Sequence, residues 1–599
     1  MLNPEQSAAV EAGDGPVLVL GSPGCGKSAV IISRVAHLLN KGVRPSQILV
    51  VTFTTKAAEE LVTRLANMLG TKAHRIWAST FHAACLRILR QEAHNLGYPD
   101  TFWITDGDDS VRILRHAAEE AGYDTDVIDF KAVASAISWY KNAGVMPDEV
   151  EGEVGALYAL YQKSLLANSL MDYDDLLLNT VRIFGDEKVL KKWQKKFKHI
   201  LIDEYNDTNV VQYVVATLLS GEHHNLFVVG DADQSIFGWR GADITNILNF
   251  KDNFPDAKLF KLEQNYRSTK RIVDVVNRVA SGTGELSKKL WTANPDGEEI
   301  IIRQFYDEAD EAFFIVDEIV RQNFRLSDTA VLARTRNALR TIERTMLANE
   351  VPCKIIGQVA FGQRREIKDV LSYLKLIMNP NDDEAFLRVI NTPRRGLGNS
   401  MIQKLIQYKN DNNISLYRSC KCVDTNTKTH NLINEFCNMI DALQQLPLTP
   451  MILKDICERS GYLEHLEYTE EWERRANVKL LLDLARDDRK RPMREFLDYL
   501  MLLDETESDP DRISLMTIHA SKGLEFENVF VVGLNEETLP HYLAIQDGSI
   551  DEEQRLFYVS VSRAKSRLYL TCSQYRNIRG RPTRATPSRF LKLIGEDVD

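Results

Sequence analysis

Gly21-Ser22-Pro23-Gly24-Cys25-Gly26-Lys27-Ser28 is a glycine-rich loop of the kind that cradles phosphate. Its glycines let successive backbone N–H groups turn inward on an anion, Lys27 offers a point charge to β and γ phosphates, and Ser28 offers a hydroxyl to magnesium. Farther on, the apolar run Ile200-Leu201-Ile202 leads into two carboxylates, Asp203 and Glu204. Emerging from the C-terminal end of a strand beside such a loop, Asp203 would hold the metal and Glu204 would polarise an attacking water. A third run, Gly230 to Ala242, reads GDADQSIFGWRGA. Its Gln234 suits a phosphate contact, and Trp239, in a polar Gly-Trp-Arg-Gly turn, suits stacking on an unpaired base. Nucleotide chemistry and a nucleic-acid grip are therefore expected to be physically joined.

These groups need elements to aim them. Val17 to Leu20 reads as a short buried strand entering the glycine loop, and Lys27 to Leu39 has helical spacing, which is the strand–loop–helix setting a phosphate loop requires. Ile48 to Phe53, His199 to Asp203 and Leu226 to Gly230 repeat the pattern of an apolar strand followed by a polar turn, predicting a parallel α/β sheet covered by helices. Residues 91–194 break that rhythm, with helical periodicity over Val111 to Ala121 and Val154 to Leu166. After Leu262 the βα rhythm resumes, with strands predicted at Ile300 to Gln304, Ala330 to Ala333, Ser514 to Ile518, Val529 to Gly533 and Leu568 to Cys572. A second helical stretch interrupts it over 373–504. The fold class is α/β, with two parallel-sheet domains that each carry a mainly helical insertion. The boundaries are 1–90 plus 195–262 for the first sheet domain and 91–194 for its insertion, then 263–372 plus 505–599 for the second and 373–504 for its insertion.

At 599 residues the chain exceeds the roughly 250–300 residues over which one core keeps growing, so several domains are required. No apolar run approaches the ~20 residues of a membrane span, and Met1-Leu2-Asn3-Pro4 does not read as a leader, so the expectation is a soluble, cytoplasmic protein without membrane association. With 74 basic and 85 acidic residues the net charge is −11, which argues against a histone-like coat but not against a local basic track. Lys188, Lys191, Lys192, Lys195, Lys196 and Lys198 form one basic cluster and Arg576, Arg579, Arg581 and Arg584 another; each, taken alone, reads as a solvated face. Eight cysteines are too sparse for a disulfide framework. Cys420, Cys422, His430, Cys437 and Cys457 are spaced too irregularly for a zinc or iron–sulfur motif and read as ordinary thiols. Cys25 sits inside the phosphate loop, where a helix end would favour a reactive thiolate.

The motifs together resemble the UvrD, PcrA and Rep group of superfamily 1 DNA helicases over nearly the whole chain. LNPEQ from Leu2 is similar to the family's Q motif, TFTTKAAEEL from Thr52 to motif Ia, and STFHAACLRILR from Ser79 to motif Ib. DEYNDTN from Asp203, GDADQSIFGWRGA, QNYRS from Gln264, LMTIHASKGLEF from Leu515 and EEQRLFYVSVSRAK from Glu552 are similar to motifs II to VI, and FGQRREIKDVLSYL from Phe361 also fits. The resemblance implies two RecA-like domains and use of ATP with Mg2+. It implies that Gln6 reads adenine, Tyr266 stacks on it and Glu525 contacts the ribose. Arg267 and Arg563 would reach the γ-phosphate as internal arginine fingers beside Lys27, Glu204 and Gln234. Phe53, Thr80, His82, Phe237, Trp239, Arg240, His519 and Lys522 would contact DNA.

The activity implied is ATP-dependent 3′–5′ translocation on single-stranded DNA and unwinding of 3′-tailed duplexes, in repair, replication or recombination with protein partners of those processes. The alternative is a DNA-activated ATPase switch that remodels or loads partner proteins without productive unwinding. The sequence departs from the family at Ala29, where arginine is common, at Phe237 for tyrosine and at Ser562 for threonine. Asn206 stands where glutamine is usual, and its shorter side chain is expected to weaken the link between Asp203-Glu204 and Gln234.

Overall fold

A computed structural model describes residues 2–595 except 100, 282–285, 350, 357–363, 426, 470–471, 488–491, 494–495, 498–510 and 579–580. The Phe361-Gly362-Gln363 start of one motif, Arg579, and the expected boundary at 504–505 lie outside the described residues. The chain divides into two compact units, Met1–Ile356 with Asp509–Asp599, and Gly357–Ser508.

The first unit holds two six-stranded, all-parallel sheets. One runs, in spatial order, Trp77–Thr80, Ile48–Thr52, His199–Ile202, Leu226–Gly230, Val17–Gly21 and Lys258–Leu262. Its four inner strands are buried along their full length, as strands covered by helices on both faces must be. Val17 pairs with Phe227 and Ile200 with Leu226, so the phosphate loop, Asp203 and Asp231 all leave the same C-terminal edge of the sheet. The second sheet runs Ile301–Phe305, Ala564–Ser573, Phe526–Val532, Thr329–Ala333, Ile513–Thr517 and Cys353–Ile355. One apolar core continues from the first sheet to the second through Ile236, Ile272, Val276, Leu556 and Val559.

Between strands Trp77–Thr80 and His199–Ile202 the chain forms helices Gly107–Glu120, Phe130–Asn142, Gly152–Ala167, Tyr173–Ile183 and Glu187–Lys196. The first three share a core of Ile113, Leu114, Phe130, Ile137, Leu157 and Tyr158. The last two bury Leu176, Leu177, Val189 and Trp193 against the first sheet instead. A buried Lys141 joins Asp172 and Asp175 at 2.6 and 2.7 Å and pins these helices together. The second unit, described by itself, is helical, with a core that includes Phe386, Phe436, Ile440, Ile456 and Leu481. No helix among the described residues is long and apolar enough to cross a membrane.

Candidate active site and nucleic-acid interface

The phosphate loop is shaped by its glycines. Gly24 and Gly26 have φ of 77° and 79°, a region that side chains disfavour. A Cβ on Gly24 would also stand 2.7 Å from Arg267 Cβ, and one on Gly26 would stand 2.7 Å from Gln6 Nε2. The loop is therefore packed between the N-terminal helix and the Gln264–Ser268 segment. Gln6 donates to the Cys25 carbonyl at 2.9 Å, Tyr266 N–H donates to the Gly24 carbonyl at 2.9 Å, and Asn265 Nδ2 donates to the Pro23 carbonyl at 2.8 Å. Gln6 also completes a capping box with Asn3, so its amide is oriented by the helix start. Ser22 is buried with the loop, and Tyr266 leaves its ring half exposed.

Lys27 opens helix Lys27–Asn40 and brings Nζ to 3.8 Å from Glu204 Oε1, while Ser28 Oγ lies 3.5 Å from Asp203 Oδ2. Burial and the neighbouring Glu204 push the Asp203 carboxyl up. Burial acts the same way on Glu204 but is outweighed by Lys27 and Lys522, which hold it below the usual glutamate range. Glu204 takes the left-handed conformation, φ 51°, and its Oε2 is buried without a hydrogen-bond donor. The oxygens of Ser28 and Asp203, at the lip of a phosphate loop, suit a hard divalent cation, which would also relieve the raised Asp203 carboxyl.

The second sheet contributes cations to the same cleft. Arg563 is 2% exposed, and its guanidinium donates to Val559 and Leu524 carbonyls at 3.0 Å each and approaches Gln234 Oε1 at 3.5 Å. Burial, with repulsion from Arg267, brings Arg563 down to about 9. Arg267 pairs with Glu525 through Nε at 2.7 Å and donates to the Ser562 carbonyl at 3.0 Å; Glu525 also meets Lys565 at 2.9 Å. Gln234 in turn donates from Nε2 to Asp231 at 2.7 Å.

On the far side of the Gly230–Ala242 segment, aromatic groups gather. Phe53 stacks on Phe237 with centroids 5.1 Å apart and planes at 19°. His519, from the second sheet, lies 6.3 Å from Phe237 and 6.2 Å from Trp239, and the Arg240 guanidinium sits 4.7 Å above Trp239. Phe237 is 8% exposed and Trp239 is 64% exposed, so the first is the footing and the second the platform. Thr80 caps helix Phe81–Glu92 by accepting from Ala83 N–H, and His82 packs 5.7 Å from the exposed ring of Tyr173. Burial lowers both His82 and His519 to about 4, the latter with help from Arg334, Arg240 and Lys522.

This combination has known counterparts. Residues 2–255 match the UvrD/REP helicase N-terminal domain, and residues 260–575 match the UvrD-like helicase C-terminal domain. The chain belongs to the UvrD/REP helicase family. ATP-dependent DNA helicase PcrA of Staphylococcus aureus is 38% identical over 631 aligned residues, covering 100% of this chain and 86% of the relative. The PcrA of Staphylococcus epidermidis is also 38% identical, with 87% of its length covered.

Two expectations for this helicase, for Cys25 and Asn206, are corrected by its packing, and a third residue is placed more deeply than its sequence suggests. Lys522, expected at DNA, has a side chain only 7% exposed; its Nζ donates to Asp207 at 2.7 Å and to the Gln234 carbonyl, stands 4.0 Å from Glu204 and lies 5.3 Å from the Phe237 centroid. The two carboxylates draw the ammonium inward. Cys25 is fully buried, and burial pushes its thiol up to about 12, overriding the helix end. Asn206 does not leave a gap: Oδ1 accepts from Asp231 N–H at 2.9 Å, Nδ2 donates to Asp207 at 3.1 Å, and its carbonyl accepts from Ser235 Oγ at 3.0 Å.

Other residues of the cleft carried no sequence signal of their own. Asn265 lay inside a quoted motif without a role, yet it ties the second half of the helicase to the phosphate loop. Lys288, in an unremarkable Ser-Lys-Lys-Leu run, is buried against Asp231 and lies 3.5 Å from Asp233. Together with Lys27 it outweighs the effect of burial and keeps the Asp231 carboxylate low.

Proposed function

We propose that this helicase hydrolyses ATP to translocate 3′ to 5′ on single-stranded DNA and to unwind 3′-tailed duplexes, in the cytoplasm, in repair, replication or recombination. One observation carries the reading. A single segment, Gly230 to Ala242, offers Gln234 to Arg563 and the carboxylate cleft and Trp239 to solvent, so movement of one is mechanically tied to the other.

In this reading Gln6 and Tyr266 hold adenine, Glu525 the ribose, and backbone N–H groups of Gly21 to Ser28 the phosphates. Ser28 and Asp203 would hold Mg2+, which supplies charge neutralisation between phosphate oxygens when bound. Glu204 orients the water for in-line attack, and Lys27, Gln234, Arg267 and Arg563 meet the charge that spreads over the transferring phosphoryl. Arg563 and Arg267 come from the far side of the cleft, so the site is complete only when both halves close. Residues 1–90 with 195–262 and 263–372 with 505–599 act as the two motor halves, with 91–194 and 373–504 as insertions. The strand crosses Phe53, Trp239, Arg240 and His519, with Phe237 beneath them and Thr80 and His82 farther along, held by stacking and backbone contacts that tolerate any sequence.

The test is strand separation on duplexes with a 3′ tail, a 5′ tail or blunt ends, alongside ATPase on single strands. Unwinding of the 3′-tailed duplex alone supports the reading. Vigorous DNA-stimulated ATPase without separation of any duplex would favour a remodelling switch instead, and a 5′-tail preference would overturn the direction.

A further inference from the structure

The lysine run before His199 is used by neither the ATP cleft nor the aromatic cluster. Helix Glu187–Lys196 buries Val189 and Trp193 and leaves Lys188, Lys192 and Lys195 exposed. Lys196 is different. Its ammonium lies 3.9 Å from the Trp77 centroid, 4.4 Å from Trp193 and 5.3 Å from Phe197. The Arg87 guanidinium lies 5.4 Å from the same Trp77 ring. The three rings pack on one another, Trp77 being 5.8 Å from Trp193 and 5.1 Å from Phe197, so they form a stiff base for the two cations.

Two cations on one indole repel each other. Burial, with repulsion from Lys192 and Arg87, holds Lys196 below the ordinary lysine range. Lys192 is compensated by Glu92, but among the described residues no carboxylate pairs with Arg87 or Lys196. The one carboxylate at the patch, Glu92, is taken up by Lys192 and by the Trp193 indole N–H at 3.2 Å, which leaves Arg87 and Lys196 without an acidic partner among the described residues. Uncompensated cations fixed on a rigid aromatic base are preorganised for a polyanion, whose binding offsets the repulsion.

Position narrows the choice of polyanion. Arg87 lies on helix Phe81–Glu92, whose N-terminus carries Thr80 and His82, so it stands about 7.5 Å farther along the helix axis than His82. We propose that Arg87 and Lys196, flanked by Lys192 and Lys195, form an outlying contact for the sugar–phosphate backbone of single-stranded DNA running on from Thr80 and His82. This rests on the reading that the strand passes Thr80 and His82.

The test is the salt dependence of binding to a series of single strands of increasing length, for the full chain and for Arg87→Met with Lys196→Met. Methionine keeps an apolar stem over Trp77 while removing the charge. Each lost phosphate contact lowers the log–log salt slope by about 0.7, so the double variant is expected to lose about 1.4 on long strands and nothing on strands too short to pass His82. Lys196→Arg should keep the native slope. An unchanged slope on long strands overturns the proposal, as does an equal loss on the shortest strands, which would signal general electrostatics. A loss seen only when a duplex arm is present would assign the patch to duplex and overturn the single-strand assignment. If the native chain itself shows no salt-dependent single-strand binding, the underlying functional reading fails instead.

Discussion

Asn206 Oδ1 accepts the Asp231 backbone N–H at 2.9 Å, so the carboxylate turn and the Gln234 segment are joined through one fully buried side chain. The shorter residue is the link. A Cβ on Gly230 would stand 2.9 Å from that same oxygen, which shows how little room surrounds it. Asn206→Gln adds a methylene to a filled site and is expected to cost about 1–3 kcal/mol by overpacking, with slower DNA-stimulated turnover. Asn206→Ala strands the buried Asp231 N–H, while Asp207 keeps Lys522, at a cost of about 1–3 kcal/mol. Thermal melts and steady-state ATPase at saturating single-stranded DNA check both; a faster Asn206→Gln enzyme would mean that the native asparagine is a defect.

Lys27 and Glu204 face each other at 3.8 Å but act at different stages. Lys27→Ala is expected to lose nucleotide affinity, whereas Glu204→Gln keeps binding and loses hydrolysis by a hundredfold or more, about 2.7 kcal/mol or greater in the barrier. Equilibrium nucleotide binding and single-turnover hydrolysis separate the two. Substantial turnover in Glu204→Gln would remove it from the water-positioning role.

Lys522 compensates Asp207 and Glu204 from across the cleft. Lys522→Met leaves buried carboxylates short of a cation, and breaking such a pair costs about 3–5 kcal/mol. The expected result is a lower melting temperature and a fall in kcat at saturating DNA, with DNA affinity nearly unchanged. Weakened DNA affinity with kcat preserved would return Lys522 to the DNA surface.

Trp239 contributes an exposed ring on a buried Phe237 footing. Trp239→Ala is expected to remove about 1–3 kcal/mol of stacking and to impair unwinding more than DNA-free ATPase. Because His82 and His519 are lowered to about 4, their contribution to stability is present above pH 6.5 and is lost as pH falls toward 4. Single-strand affinity measured from pH 6 to 8 should therefore show no histidine titration, and a step near 6.5 would contradict their burial.

Cys25 is expected to resist alkylation in the folded enzyme, with or without nucleotide, because its thiol is buried and pushed up to about 12. Mass spectrometry after brief iodoacetamide treatment reads this directly. Rapid labelling that nucleotide blocks would show that the loop opens and exposes a thiolate.

The sequence alone determined the elements whose chemistry is local. A phosphate loop, a strand ending in Asp203-Glu204 and a Gly-Trp-Arg-Gly turn declare themselves because consecutive residues carry the function, and the fully buried inner strands declare themselves as apolar runs. Three of the four outermost strands were less legible, Ile301–Phe305 being the exception. Trp77–Thr80, Lys258–Leu262 and Cys353–Ile355 sit at sheet edges, where one side meets solvent or loops and polar residues interrupt the apolar pattern. What only the tertiary structure decided is the direction in which ambivalent side chains point. Lys522 turns inward because Asp207 and Glu204, more than 300 positions away in the chain, leave negative charge for it to meet. Cys25 is silenced by apolar neighbours from several elements, and Asn206 is long enough because the Asp231 backbone comes to it. Burial and pairing set the charge and reach of such groups, and both depend on distances that no residue spacing encodes.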